Sequence, residues 1–544
     1  MSRIFKFFQK TKDLIFRKQK SILSSALIIS AMIAFSRILG FVRYRVFSYF
    51  FTKEQLDIFF ASFRVPDSIF EVVILGSLSY SLIPMFLKYK HRSKNFNTIL
   101  SSTLTIFSLF LILLIVLAII FSEQLIKLIT PGFSPEQQAK VMFFTRIILI
   151  TQVPFLTIGN ILMAIAQVEK RFLLTALAPL FYNLSIILIT LVFASSYGLT
   201  AVFVGVIIGA FFYALSQFWV LSSSDFKYRP SLKITSSLKD FLHLSGTRVL
   251  LLFIKQIEAN VELALSTLLG LGSYTAFYLA QRLQFLPVSL IGQAISQAAY
   301  PFLSSFAEKK QKTQIKNILK SQVLLVSFIT IPISFFVIFT RTPLIRVFFG
   351  GAKFDWQATV STAYTFSFFA FSIPFHSIFY LFNKTFFAYF KTKVPVFVNS
   401  LSTFLTIALS YLFILFWKKP VWYLAMAFSI SISLNTLVLG FFLHKEFRFA
   451  DFELLKEVFK VYLISSISAF VSYQFMRLVD GLFIETVNFY TLIVLLSSTF
   501  LLFISIFAFL SWFLGIREFS ILSAMFKKLN RYRKDLIQYY TSVE

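Results

Sequence analysis

The chain has 544 residues, 58% hydrophobic and only 14% charged, with mean hydropathy +0.80 and a formal net charge of +29. Soluble domains are about 45–50% apolar and about 25% charged, so a soluble fold is excluded, and with it nucleic acid as the partner of the positive charge. The chain has no cysteine, which excludes disulfides, thiol catalysis and thiolate metal sites.

Residues 1–23 set Arg3, Lys6, Lys10 and Lys12 among Phe5, Phe7 and Phe8, the pattern of a basic amphipathic segment on the cytoplasmic membrane surface. A helix needs about 20 apolar residues to cross the hydrocarbon, and about fourteen such blocks come after it. Six lie near residues 24–51, 55–87, 97–122, 139–167, 172–196 and 199–222, forming an N-terminal lobe over 24–222. A cytoplasmic linker, 223–240, leads to a C-terminal lobe over 241–445, with spans near 241–269, 273–304, 317–340, 357–388, 394–416 and 421–444. Two more spans, near 458–478 and 488–515, fill 446–515, and a basic cytoplasmic tail occupies 516–544. The short alternating strands of a barrel are missing, so the expected class is an all-α integral membrane protein. Polar segments alternate between basic and non-basic, with about 34 Lys/Arg on one side against about 9 on the other. That asymmetry puts both termini in the cytoplasm.

The chain repeats itself. Leu125, Ile126, Lys127, Gly132, Gln138 and Ala139 recur as Leu344, Ile345, Arg346, Gly351, Gln357 and Ala358. Pro179 and Asn183 recur as Pro395 and Asn399, Gly76 and Pro84 as Gly292 and Pro301, and Arg64 falls opposite Arg282. Six spans separate the copies, so both halves enter the membrane with one orientation, a parallel repeat. Spans 13 and 14 stand outside this six-plus-six core.

Charged groups inside spans mark function, because each costs at least about 2.5–3.5 kcal/mol at bilayer depth. Span 1 carries Arg37, Arg43 and Arg45, and a break at Gly40 would let Arg37 and Arg43 converge. In span 2, Asp57, Arg64, Asp67 and Glu71 are spaced by intervals that return to one helical face. Arg248, Lys255, Glu258 and Glu262 repeat those intervals in span 7. Two polar stripes facing a shared cavity are one reading, and structural ion pairs between helices are the alternative. Arginines in excess of carboxylates suit an anionic ligand such as a diphosphate. The sequence has no HExxH, P-loop, dinucleotide fingerprint or nucleophile elbow. Its four histidines show no metal spacing, so no enzyme, cofactor or defined metal site is expected.

Together, SRILGFVR at 36–43, Asp57 with FFASFRVP at 59–66, LGSLSYSLIP at 75–84, TPGF at 130–133, AQRLQFLP at 280–287 and KTKVP at 391–395 resemble the MurJ/MviN lipid II flippase family of the multidrug/oligosaccharidyl-lipid/polysaccharide exporter superfamily. The resemblance runs from about residue 24 to 445. It implies two six-helix lobes around a central cavity, two additional helices forming a groove for a lipid tail, and export of lipid II by alternating access. By motif position, Arg37, Arg43, Asp57 and Arg282 match the family's cavity residues. The diphosphate is then expected on Arg37, Arg43 and Arg282 with Arg64 and Lys255 nearby, and Asp57, Glu71, Glu258 and Glu262 are the expected cavity or coupling acids. Sodium or the membrane potential would drive export. The expected site of action is the bacterial cytoplasmic membrane.

The chain departs from the family pattern at Tyr44, Phe70, Glu71, Leu75 and Phe285, and at Thr406 and Ser410, where a polar pair associated with sodium is expected. These departures bear on the substrate and on sodium coupling. Alternatives to lipid II are another polyprenyl-diphosphate glycan, a cation-coupled drug exporter, or a non-transporting homologue.

Overall fold

The computed structural model describes residues 22–74, 96–168, 172–218, 228–233, 236–482 and 488–520. The LGSLSYSLIP motif, with Leu75, Gly76 and Pro84, and most of the two terminal basic segments lie outside the described residues. Every regular element described is helical. The chain divides into two compact units.

The first unit is Met1–Thr275 with Phe348–Ala358. Its helices are α1 (Ile22–Phe50), α2 (Lys53–Ser62), α3 (Arg64–Ile69), α4 (Phe96–Ile120), α5 (Ser122–Ile129), α6 (Pro135–Val168), α7 (Phe172–Tyr197), α8 (Leu199–Phe218) and α9 (Ser236–Thr267). The second unit is Ala276–Val347 with Thr359–Glu544. It contains most of α10 (Ser273–Pro287), then α11 (Ala294–Glu308), α12 (Lys312–Phe339), α13 (Arg341–Phe349), α14 (Trp356–Ala370), α15 (Ser372–Ala388), α16 (Lys393–Tyr411), α17 (Trp422–Phe447), α18 (Phe452–Leu482) and α19 (Phe489–Phe513). The units part in the first turn of α10, between Thr275 and Ala276, beyond the 223–240 linker.

Among the described residues, eight helices are long and apolar enough to cross a membrane. A ninth span forms if α14 and α15, bent by 45°, count as one. The expected spans outside this set are 1, 2, 7, 8 and 13. Four of them are the first two of each lobe, where the candidate charged residues and the helix breaks concentrate.

Two helix breaks, in spans 2 and 10, have one cause. Span 2 is interrupted at Phe63, between α2 and α3. Pro66 has no N–H to offer the carbonyl four residues back, at Ser62. That carbonyl instead accepts from Thr145 Oγ1 of α6 at 3.0 Å. In the second unit Pro374 leaves Ala370 O without its helical donor, and Ser334 Oγ of α12 supplies one at 2.6 Å. In lipid an orphaned carbonyl costs several kcal/mol, so each bend is held open by a hydroxyl from the neighbouring helix. The restart at α2 is secured by a capping box, in which Gln55 N–H donates to Thr52 Oγ1 and Thr52 N–H to Gln55 Oε1.

Packing obeys membrane rules, where close approach of small residues replaces the hydrophobic drive. Gly205 and Gly209 of α8 are four apart and bring the backbone of α7 against them. A Cβ on Gly209 would lie 2.8 Å from Tyr182 O, and one on Gly205 3.1 Å from Ile186 Cα. Phe203 of α8 stacks on Phe144 of α6 with ring centroids 3.8 Å apart. In the second unit, α18 and α19 pack on α12 through Phe328, Ile331, Val461, Ile464 and Phe507. The two C-terminal spans are therefore fastened to span 9.

Candidate functional site

The first helix carries three arginines without a kink. α1 runs unbroken from Ile22 to Phe50, so the break expected at Gly40 does not form. A single residue of low helix propensity costs only about 1 kcal/mol, too little to break a helix of this length. On a regular helix Arg37 and Arg43 are about 9 Å apart along the axis and point in different directions. Arg37 and Arg45 are half-buried. Arg43 lies over the Tyr44 ring at 4.9 Å and the Phe47 ring at 5.9 Å. The Tyr182 hydroxyl of α7 accepts from Gln152 Nε2 of α6 at 3.2 Å.

A second network holds Arg64. Its Nε donates to Asn260 Oδ1 at 2.9 Å and its Nη2 to Gln256 Oε1 at 2.5 Å. Gln256 Nε2 then donates to Glu71 Oε2 at 2.5 Å. Among the described residues, the hydrogen bonds of Arg64 go to two neutral amides, and the carboxylate stands one amide further away. Gln256 and Asn260 share one face of α9, so the fork geometry of arginine is matched by an i,i+4 pair. Sequence reasoning passed over both amides. The signal was present, since two carboxamides four residues apart in a span must find hydrogen-bond partners.

The expectation of one polar stripe per span is not met. Span 2 is broken at Phe63, and Asp57 goes to a different place from Arg64. Asp57 is fully buried and accepts from Gly272 N at 2.5 Å, Thr275 N at 2.7 Å and Thr275 Oγ1 at 2.7 Å. It caps the N-terminus of α10, where the helix dipole favours an anion. On α9, Lys255 is half-exposed and bonds Glu258 Oε2 at 3.3 Å. Glu258 and Glu262 are each only 4% exposed, so they pack inside the bundle. The side chain of Arg248 lies outside the described residues.

In the second unit, Arg282 is exposed on α10. Its guanidinium lies 4.8 Å from the centroid of the Tyr278 ring, and its Nη2 donates to the Tyr278 hydroxyl at 2.9 Å. Lys384 lies over Tyr300 at 5.0 Å. His376 is buried, 3.1 Å from Gln284 Nε2, and belongs to an aromatic packing layer with Phe285 and Tyr380. At the expected sodium pair, Thr406 donates to Ser402 O at 3.0 Å and the Ser410 hydroxyl is buried without a partner. Hard cations are held by oxygen sets that usually include carboxylate. Two neutral hydroxyls do not make such a set.

The structure therefore joins Arg64, Glu71 and Gln256, pairs Lys255 with Glu258, and sets Arg43 over the Tyr44 and Phe47 rings. Asp57 stands apart from all of them as a helix cap.

Comparison with known proteins gives these clusters their setting. The family described as Lipid II flippase MurJ matches residues 46–511. A probable lipid II flippase MurJ of Borreliella burgdorferi is 26% identical over 428 residues, covering 77% of this chain and 83% of its own length. The lipid II flippase MurJ of Thermosipho africanus is 27% identical over 456 residues, covering 83% and 91%. Among solved structures, a lipid II flippase MurJ in an inward closed conformation superposes with TM-score 0.74 at 24% identity, over 90% of this chain and 99% of the other. An inward-facing MATE multidrug transporter gives 0.67 at 12% identity, covering 77% and 96%. Since the family match extends over most of the 544 residues, and relatives of nearly the same extent agree with it, this multi-pass membrane chain belongs to the lipid II flippase MurJ family.

Proposed function

We propose that the chain moves lipid II across the bacterial cytoplasmic membrane by alternating access, with both termini in the cytoplasm. The observation that carries this reading is the way Arg64 is held. A guanidinium fixed by two amides keeps its charge available, whereas one neutralised by a carboxylate does not. Arg64 presents that charge to the diphosphate, with Arg37, Arg43 and Lys255 as further cationic groups of the same unit. Arg282, backed by the Tyr278 hydroxyl, is the cationic candidate of the second unit.

No residue need perform covalent chemistry, because the substrate crosses unchanged. An interior negative by 100 mV favours outward movement of each net negative charge by about 2.3 kcal/mol. The potential therefore supplies a driving force, and the arginines let the anion enter a region that hydrocarbon would close to it. The test is complementation of a flippase-depleted cell. Arg37→Ala, Arg43→Ala and Arg64→Ala reach the membrane at parental levels and fail to support growth. Full complementation by all three rejects the site.

A further inference from the structure

Two glycines in equivalent positions of the repeat are each seated on the backbone of the other repeat's first helix. Gly132 lies in the turn after α5. A Cβ there would be 2.1 Å from Thr267 O and 2.6 Å from Leu268 N, at the end of α9. Its own N–H donates to Thr267 Oγ1 at 3.1 Å. Gly351 lies in the turn after α13. A Cβ there would be 2.3 Å from Ser48 O and 2.6 Å from Tyr49 N, at the end of α1. One offset, 219 residues, carries Gly132 to Gly351 and Ser48 to Thr267, so each seat is the image of the other.

Both seats lie within the first unit, and other contacts there join the same segments. Lys53 Nζ donates to Asp355 Oδ2 at 3.0 Å and to Gln357 Oε1 at 2.7 Å. A Cβ on Gly272 would meet the Lys53 side chain at 2.6 Å. Phe41 and Tyr44 of α1 touch Phe348 and Phe349, with ring centroids 5.3 and 6.3 Å apart. The segments that meet are the ends of spans 1 and 7, the start of span 2, and the turns after spans 3 and 9. All of them fall at the membrane face opposite the basic loops.

A real Cβ cannot approach a carbonyl oxygen to 2.1–2.3 Å. The groups facing each seat are backbone atoms of a helix end, which cannot rotate aside as a flexible side chain would. We infer that Gly132 and Gly351 are positioning residues that together close the outer end of the transport route, and that both seats part each time lipid is released there. The inference rests on the transport reading above. Two seats related by the repeat explain why the closure uses a turn from each half. A rocking motion that treats the two repeats alike opens and closes both at once.

The absence of native cysteine makes the test direct. In the full-length chain reconstituted in liposomes, Lys53→Cys with Asp355→Cys is treated with a short, reducible bifunctional methanethiosulfonate. Cross-linking is scored by protection from polyethylene-glycol maleimide. The pair cross-links rapidly, the linked protein loses about 90% or more of lipid II translocation, and reductant restores it. This arm needs no glycine variant. In the same background Gly132→Val or Gly351→Val slows cross-linking about tenfold or more. Each also speeds labelling of Thr267→Cys by an impermeant thiol reagent added outside. Gly481→Ala, where nothing lies within 4 Å of the added carbon, changes neither rate. Parental translocation by the linked protein overturns the inference, as does parental cross-linking in both valine variants. Cross-linking in the expected pattern by a chain that moves no lipid II upholds the closure and rejects the transport reading instead.

Discussion

Exchanging the acid and the amide of the Arg64 network, by Glu71→Gln together with Gln256→Glu, preserves net charge and the number of hydrogen-bonding groups. It moves the carboxylate into direct contact with the guanidinium. In the native arrangement the two 2.5 Å hydrogen bonds and the intervening amide put the carboxylate about 7 Å from the Arg64 nitrogen. At an effective dielectric near 20, unit charges about 4 Å apart attract by about 4 kcal/mol, and at about 7 Å by about 2.4 kcal/mol. The exchange thus makes Arg64 about 1.5–2 kcal/mol less ready to give its charge to a phosphate, a factor of about 10–30 in affinity at 1.4 kcal/mol per tenfold. Native mass spectrometry of the purified variant titrated with lipid II reads that factor. Glu71→Gln alone removes the competing acid and is expected to bind at least as tightly as the parent. If the double variant binds lipid II within about threefold of the parent, Arg64 is not the group kept available for an anion.

Asp57→Asn replaces an acid that accepts three hydrogen bonds with an amide that must turn one donor toward them. The expected loss is about 1.5–3 kcal/mol, seen as a lower midpoint of thermal unfolding in detergent, with lipid II affinity of the folded protein unchanged. Gly209→Leu forces a side chain into the space between α7 and α8, where a single carbon already lies 2.8 Å from Tyr182 O. It lowers thermal stability more than Gly481→Leu, a site with no neighbour within 4 Å. At Asp355, partial burial pushes the carboxyl up, but the Ala358 N–H and Lys53 pull it down further, leaving it below the ordinary carboxylate value. A lowered value in the folded state means the contribution is complete above pH about 4 and fades as the pH falls through the lowered value. The stability difference between the parent and Asp355→Asn should therefore be constant from about pH 7 to 5 and shrink below about 4.

Much of this architecture was legible in the sequence because it is written in long-range pattern. Block hydropathy gives the helical membrane class, and the glycines, prolines and asparagines at a near-constant offset give the repeat. Residue placement inside the spans was less legible, for two physical reasons. Periodicity assumes a continuous helix, and span 2 is not one. Pro66 was visible, but the residue left without a partner is Ser62, and the group that rescues it, Thr145, is on another span. The opposite error occurred at Gly40, where a glycine taken as a break is absorbed by a 29-residue helix. Reading charge alone also drew attention to Lys255 and the acids of α9 while passing over Gln256 and Asn260. Neutral amides carry no signal in a tally of ions, although they decide where the ions point.

The hydroxyls that fill the gaps left by proline bear on how the bundle moves. Since Ser62 O is satisfied by Thr145 rather than by its own helix, straightening span 2 would recover no hydrogen bond and would strand the threonine. The short helix α2 is thus tied sideways to α6 as well as lengthwise to α3. When this region rearranges, the Ser62 carbonyl and the Thr145 hydroxyl should move together, so that α2 and α6 shift as one.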